Sequence, residues 1–164
     1  MINCKNCGAV VARRDETCSY CGTPNHAHVP ISADQDALMA GAMGALQNGN
    51  YGAAIKLYRQ IINDDPELFL AYFYLAHCLN TTGQSGQAIT VMGQASQLRP
   101  GNASIYYNIA LMQQARGQYA EAMTNLQKAL KLTDTDPQLT DRQDFRKRVQ
   151  KAMDFVNKNY LENQ

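Results

Sequence analysis

Gly49, Gly83 and Gly117 lie 34 residues apart, and so do Ala54, Ala88 and Ala122. Pro66 and Pro100 keep the same interval. A recurrence shared by three residue types makes each block one supersecondary unit whose apolar side is completed by its neighbours. Blocks fit this period from near Gln35, Phe69 and Ala103. Leu38, Gly41, Ala42 and Ala45 share one helical face, Tyr72, Leu75, Ala76 and Leu79 repeat it, and Tyr106, Ile109 and Ala110 repeat it again. The small member of each stripe (Ala42, Ala76, Ala110) admits a close helix partner. The glycines suit a left-handed helix end, Ala54, Ala88 and Ala122 supply the second close contact, and the prolines stop the second helix.

Four of the five cysteines fall in the first 21 residues, as Cys4, Cys7, Cys18 and Cys21. "CKNCG" and "CSYCG" are two copies of one device, ten residues apart. The two-residue gap turns both thiolates to one point, and Gly8 and Gly22 can take the positive φ that aims backbone N–H groups at sulfur. Four thiolates suffice for closed tetrahedral Zn²⁺. Iron in a rubredoxin-like site, a redox dithiol pair and two disulfides are the alternatives; a segment this short builds no protected iron pocket. "AVVARRDET" reads as a strand, a polar turn and a return. Residues 1–23 resemble the zinc-ribbon family, which implies one structural zinc on the four cysteines. His26 and His28 follow in a segment, 24–33, that reads as a solvated linker.

The 34-residue pattern resembles the tetratricopeptide repeat over about residues 35–134. That resemblance implies a mainly α fold: a right-handed superhelix of three helix pairs (about 35–68, 69–102 and 103–136) behind a small β zinc ribbon. Gln113 departs from it where a large apolar residue is usual, Ser85 stands where Tyr51 and Tyr119 stand in the other blocks, and the third proline slips to Pro137. From 137 to 164 a capping helix and tail are expected, with Phe145, Val149, Ala152, Met153, Val156 and Tyr160 on its apolar face. Thr140 and Gln143 have the spacing of a capping box. Its cations (Arg142, Arg146, Lys147, Arg148, Lys151) alternate with Asp141, Asp144 and Asp154, which favours a solvated face over a nucleic-acid surface.

Charge agrees, with 15 Lys+Arg against 14 Asp+Glu. Anionic polymers and membranes usually select a clustered basic excess. No apolar run reaches the ~20 residues of a membrane span. The start lacks the basic-then-apolar order of a signal peptide, so a cytoplasmic location is expected.

No enzyme constellation is present: no phosphate-binding glycine loop, no metalloprotease histidine pair, no nucleophile elbow. His77 beside Cys78 invites a base–nucleophile pairing, but helix neighbours point about 100° apart. A half-buried core thiol is the better reading. The repeat resemblance implies a peptide-binding concave face on the first helices, carried over to Met39, Met43, Leu46, Leu70, Phe73, His77, Asn80, Tyr107, Leu111 and Gln114. Positions that hold a carboxylate clamp in chaperone-binding members read Met39, Met43, His77, Ser104 and Asn108, so no clamp is expected. Phe73 and Tyr107 are expected to anchor the bound segment. "LMAGAMGAL", Leu38–Leu46, is apolar or small all round and implies cover on every side: a partner, a second copy of the chain, or its own ribbon.

These readings add up to a non-enzymatic adaptor or scaffold that binds an extended or helical apolar segment of a partner protein. The alternative is a chaperone for an apolar segment of a secreted or assembling partner. A nucleic-acid factor resting on Lys5, Arg13 and Arg14 is the weakest.

Overall fold

Where the sequence repeats, the backbone repeats with it. The computed structural model describes residues 2–162 and falls into two compact units, one ending at Arg99 and one beginning at Pro100. The first holds β1 (Ile2–Asn3), β2 (Val10–Val11), α1 (Ala33–Gln47), α2 (Tyr51–Asp64), α3 (Phe69–Thr81) and α4 (Ser85–Leu98). The second holds α5 (Ala103–Ala115), α6 (Tyr119–Leu132) and α7 (Arg142–Glu162).

Each pair turns the same way. Gly49, Gly83 and Gly117 sit at φ 71°, 79° and 72°. The next residue's N–H reaches back to the carbonyl of Ala45, Leu79 or Gln113 at 2.8, 2.8 and 2.9 Å. This Schellman closure satisfies carbonyls that a helix end leaves open, and it selects glycine. Ala42, Ala76 and Ala110 of the first helices, and Ala54, Ala88 and Ala122 of the second, are fully buried. Even a side-chain bond repeats: Tyr72 Oη donates to Pro66 O at 3.1 Å, and Tyr106 Oη to Pro100 O at 3.2 Å.

The departures have local answers. Buried Gln113 accepts from Asn125 Nδ2 at 2.9 Å, so its amide oxygen is paired. Ser85 Oγ bonds Asn80 Oδ1 at 2.9 Å across the tight turn. Asp136, before the displaced Pro137, is buried and accepts from the Ala103 and Gln138 N–H groups at 2.8 and 2.9 Å, capping the start of α5.

Two expectations about α7 are corrected. The α7 N-terminus is capped by Asp141, whose carboxylate accepts from Asp144 N at 2.8 Å, so the Thr140–Gln143 box does not form. A carboxylate outcompetes a hydroxyl there because the helix dipole favours negative charge. Along α7, Phe145, Val149, Ala152 and Val156 are buried as the pattern implies, but Tyr160 is exposed, beyond the reach of the α5–α6 cluster. Within this chain α1 buries only Ala42, while Leu38, Met39, Met43, Ala45 and Leu46 are half-buried. Ser32 and Gln35 form a full capping box at the start of α1, a signal the sequence carried and the reading above missed.

Candidate metal centre and peptide-binding surface

The ribbon is built around sulfur. β1 and β2 pair antiparallel, Ile2 opposite Val11 and Asn3 opposite Val10, and so bracket the first knuckle. The expected return is not a strand: beyond β2 the chain makes one bridge, Thr17 to Pro24. The strand pairs upstream because Gly8, at φ 73°, folds the knuckle back on itself, with Cys4 N donating to Ala9 O. Gly22, at φ 72°, does the same for the second knuckle, with Cys18 N donating to Thr23 O.

All four sulfurs lie within 4.8 Å of one another. Cys4 Sγ to Cys21 Sγ and Cys7 Sγ to Cys18 Sγ are both 3.6 Å, with no disulfide among the described residues. Tetrahedral zinc with bonds of about 2.3 Å sets its sulfurs about 3.8 Å apart, so the cluster fits the ion with little adjustment. Backbone N–H groups of Cys7 and Asn6 lower the Cys4 thiol, and the Thr23 hydroxyl, 3.2 Å from Cys21 Sγ, helps draw that thiol down to about 6. Cys7 is instead pushed up to about 12, the Ala9 N–H being outweighed by the neighbouring Cys21 and Cys18 sulfurs, so a metal entering the cluster must displace a proton there.

The ribbon is anchored to the helices of its own unit by two adjacent residues. Arg14 Nε donates to Asp65 Oδ2 at 2.6 Å, and Arg99 Nη2 to Asp15 Oδ1 at 2.5 Å. Asp65 and Arg99 stand 34 residues apart, at one position of successive repeats. Arg14 also donates to the Val29 and Pro30 carbonyls and to Gln35 Oε1, and Arg99 lies over the Phe69 ring. The segment after the second knuckle joins in: Asn25 Nδ2 donates to Ala12 O and Asp15 O, and Val29 N to Arg13 O. His26 is exposed and His28 half-buried, and neither belongs to the sulfur cluster. Of the three cations behind the nucleic-acid reading, Arg14 is thus committed to internal partners. Sequence reasoning missed this anchorage, and the period was its only written clue.

The ten proposed groove positions all escape full burial. On α1, Met39, Met43 and Leu46 are half-buried; on α3, Leu70, His77 and Asn80 are exposed and Phe73 half-buried; on α5, Tyr107, Leu111 and Gln114 are half-buried. Met43 Sδ accepts from buried Tyr58 Oη at 3.2 Å. The Phe73 ring lies 5.9 Å from both Phe69 and Tyr74. Tyr107 meets the buried Phe145 ring of α7 edge-on at 5.5 Å, with Arg148 over it. In the second unit Tyr107, Leu111 and Gln114 line a cavity of about 350 Å³ together with α7. Cys78 is wholly buried rather than half-buried, and burial pushes its thiol up, while His77 is exposed. The two side chains form no pair.

Comparison with known families follows from these features. The model of the family described as anaphase-promoting complex, cyclosome, subunit 3 matches residues 35–129, more than half of the chain. The chain belongs to that family. A zinc-ribbon domain family matches residues 1–25, and with the sulfur geometry it makes the cofactor a structural zinc. No curated protein sequence matches the chain.

Among solved structures, the Yersinia enterocolitica type III secretion chaperone SycD, in complex with a peptide of the translocator YopD, is 19% identical with a TM-score of 0.68. That match covers 82% of this chain and 98% of SycD. PcrH of Pseudomonas aeruginosa, in complex with the chaperone-binding region of PopD, is 16% identical with a TM-score of 0.71, covering 79% and 96%. The TPR2B domain of yeast Sti1, in a complex with pHsp70, is 20% identical with a TM-score of 0.68, covering 77% and 98%. The shared fold is the tetratricopeptide repeat. Among the described residues no helix is long and apolar enough to cross a membrane.

Proposed function

We propose that this chain is a non-enzymatic adaptor that holds a peptide segment of a partner protein on the first helices of its repeats. One observation carries the reading. Adjacent aromatics divide by burial: Tyr72 and Tyr106 are buried in the seams, while Phe73 and Tyr107, one step of about 100° further round, are not. Half-exposed Met39, Met43 and Leu46 extend the apolar surface on α1, and methionine suits partners of variable shape. The zinc ribbon is a second, rigid module for contacts with proteins. The chaperone reading is favoured by a separate observation: SycD and PcrH share the fold over nearly their whole length, and were solved with a peptide of the translocator YopD and with the chaperone-binding region of PopD.

Phe73→Ala tests the adaptor reading cleanly. Loss of a desolvated aromatic anchor weakens binding by about 2 kcal/mol, near thirtyfold. Melting temperature should change little, because the ring is only half-buried. Tyr107→Ala removes packing on Phe145 as well, so its melting temperature should fall along with its affinity. Partner capture by photo-crosslinking from position 73, compared with the Phe73→Ala melt, reads both. A large loss of stability with capture intact would show that Phe73 belongs to the core.

A further inference from the structure

The cavity between α5 and α7 combines three features that the repeat pattern does not require. Its floor is apolar, from Tyr107 and Leu111, and exposed Phe155 stands at its rim. Arg148 and Lys151 line it, and no carboxylate does. Gln114 Oε1 is buried and accepts no hydrogen bond among the described residues.

Each feature asks for a different group. The apolar floor takes an aromatic or large aliphatic side chain. Gln114 Oε1 is an acceptor only, so it calls for an N–H or O–H donor, and an unpaired buried acceptor is costly. Arg148 is held by Asp144 at 2.9 Å and by the Tyr107 and Phe145 rings, with its planar fork kept in place beside the cavity. Lys151 has no carboxylate partner among the described residues, and it sits one helical turn before Phe155. One kind of ligand suits the apolar floor and both cations: a peptide with a large apolar side chain flanked by acidic residues, with a donor for Gln114 Oε1 once that amide turns toward it.

We infer that the α5–α7 notch binds an acidic amphipathic segment of a partner protein, with Arg148 and Lys151 engaging its carboxylates. The inference rests on the peptide-binding reading above and narrows it to one ligand chemistry. A polyanion such as RNA is disfavoured, because Asp141, Asp144 and Asp154 punctuate the same helix and would repel a continuous phosphate backbone.

Fluorescence anisotropy on the full-length zinc-loaded protein tests it with four probes: a labelled peptide with one Phe among Asp and Glu, its Asn/Gln isostere, an uncharged apolar peptide, and single-stranded RNA of equal length. The acidic peptide should bind at least about tenfold tighter than its isostere, the worth of one good charge-assisted contact. Rising ionic strength should shrink that preference. Lys151→Glu should abolish it, and Phe155→Ala should weaken both peptides; both side chains are exposed, so the helical signal should be unchanged. Equal binding of the two charged-site peptides, a preference that survives Lys151→Glu, or RNA binding as tight as the acidic peptide would overturn the inference. The uncharged peptide separates the two levels. Where the acidic preference is absent and the notch fails, binding of the uncharged peptide that Phe73→Ala weakens leaves the groove reading standing; if Phe73→Ala leaves it untouched, the groove reading fails too.

Discussion

The ribbon's buried cluster consists of Cys4, Val11 and Cys18, edged by Ile2 and Ala9, whereas α5, α6 and α7 bury ten side chains in one cluster that contains Phe145, Leu126 and Tyr106. Two of the ribbon's three buried members are metal ligands. Its hydrophobic burial and its coordination are the same atoms, so the ribbon has little left to fold on without the ion. The helix pairs instead bury a small residue on each member, Ala42 with Ala54, Ala76 with Ala88 and Ala110 with Ala122, among larger apolar side chains. A chain can thus join a module that folds by ligation to one that folds by repetition, and the two should fail under different insults.

Metal removal should separate them most sharply. Structural zinc contributes roughly 10–16 kcal/mol to such small sites near neutral pH. Chelation should therefore abolish the ribbon, read as loss of dispersion in its amide NMR signals, while far-UV helicity stays nearly constant. Metal analysis of the untreated protein should return one zinc per chain. A collapse of helicity on chelation would mean that the repeats also depend on the ion.

The next effect is at the junction. Arg14→Met leaves Asp65, only 7% exposed at its side chain, without its guanidinium, which should cost about 1–3 kcal/mol. Because the partner charge is what makes the loss large, Arg14→Met with Asp65→Asn should recover much of it, and thermal melts of both variants give the comparison. Equal melts for the single and double variants would mean that the pair orients the ribbon without holding it.

The smallest expected effect lies within the repeats. Gly83→Ala meets no atom within 4 Å, so its cost is conformational alone, about 1 kcal/mol for a left-handed φ of 79°. Denaturant midpoints should fall slightly, with an unchanged slope.

Much of the helical architecture was legible because it is written three times. Gly49, Gly83 and Gly117 each mark a helix end, and the alanines mark each seam. The sulfur cluster was legible because C-x-x-C spacing fixes local geometry. What escaped is non-periodic or long-range. Asp141 outcompeted Thr140 for the cap through charge, not through pattern. The partnership of Arg14 with Asp65 spans 51 residues, and no local rule predicts it. The edge-on meeting of Tyr107 with Phe145 was not legible, because the sequence does not show which face of α5 meets α7. The all-apolar run of α1 signals a need for cover, but it does not say which element supplies it.

Arg14 and Asp15 are neighbours in sequence, while the groups they grip belong to equivalent points of two successive repeats. One peptide unit and the side chains it carries span the two pairs, so both close together only over a limited range of separations between Asp65 and Arg99. Flexing the first repeat against the second lengthens one pair or the other. The ribbon is therefore a splint across that joint, and its stiffness comes from the four thiolates that shape the turn. The metal-shaped turn and the angle between the first two repeats are thereby tied together through two neighbouring side chains.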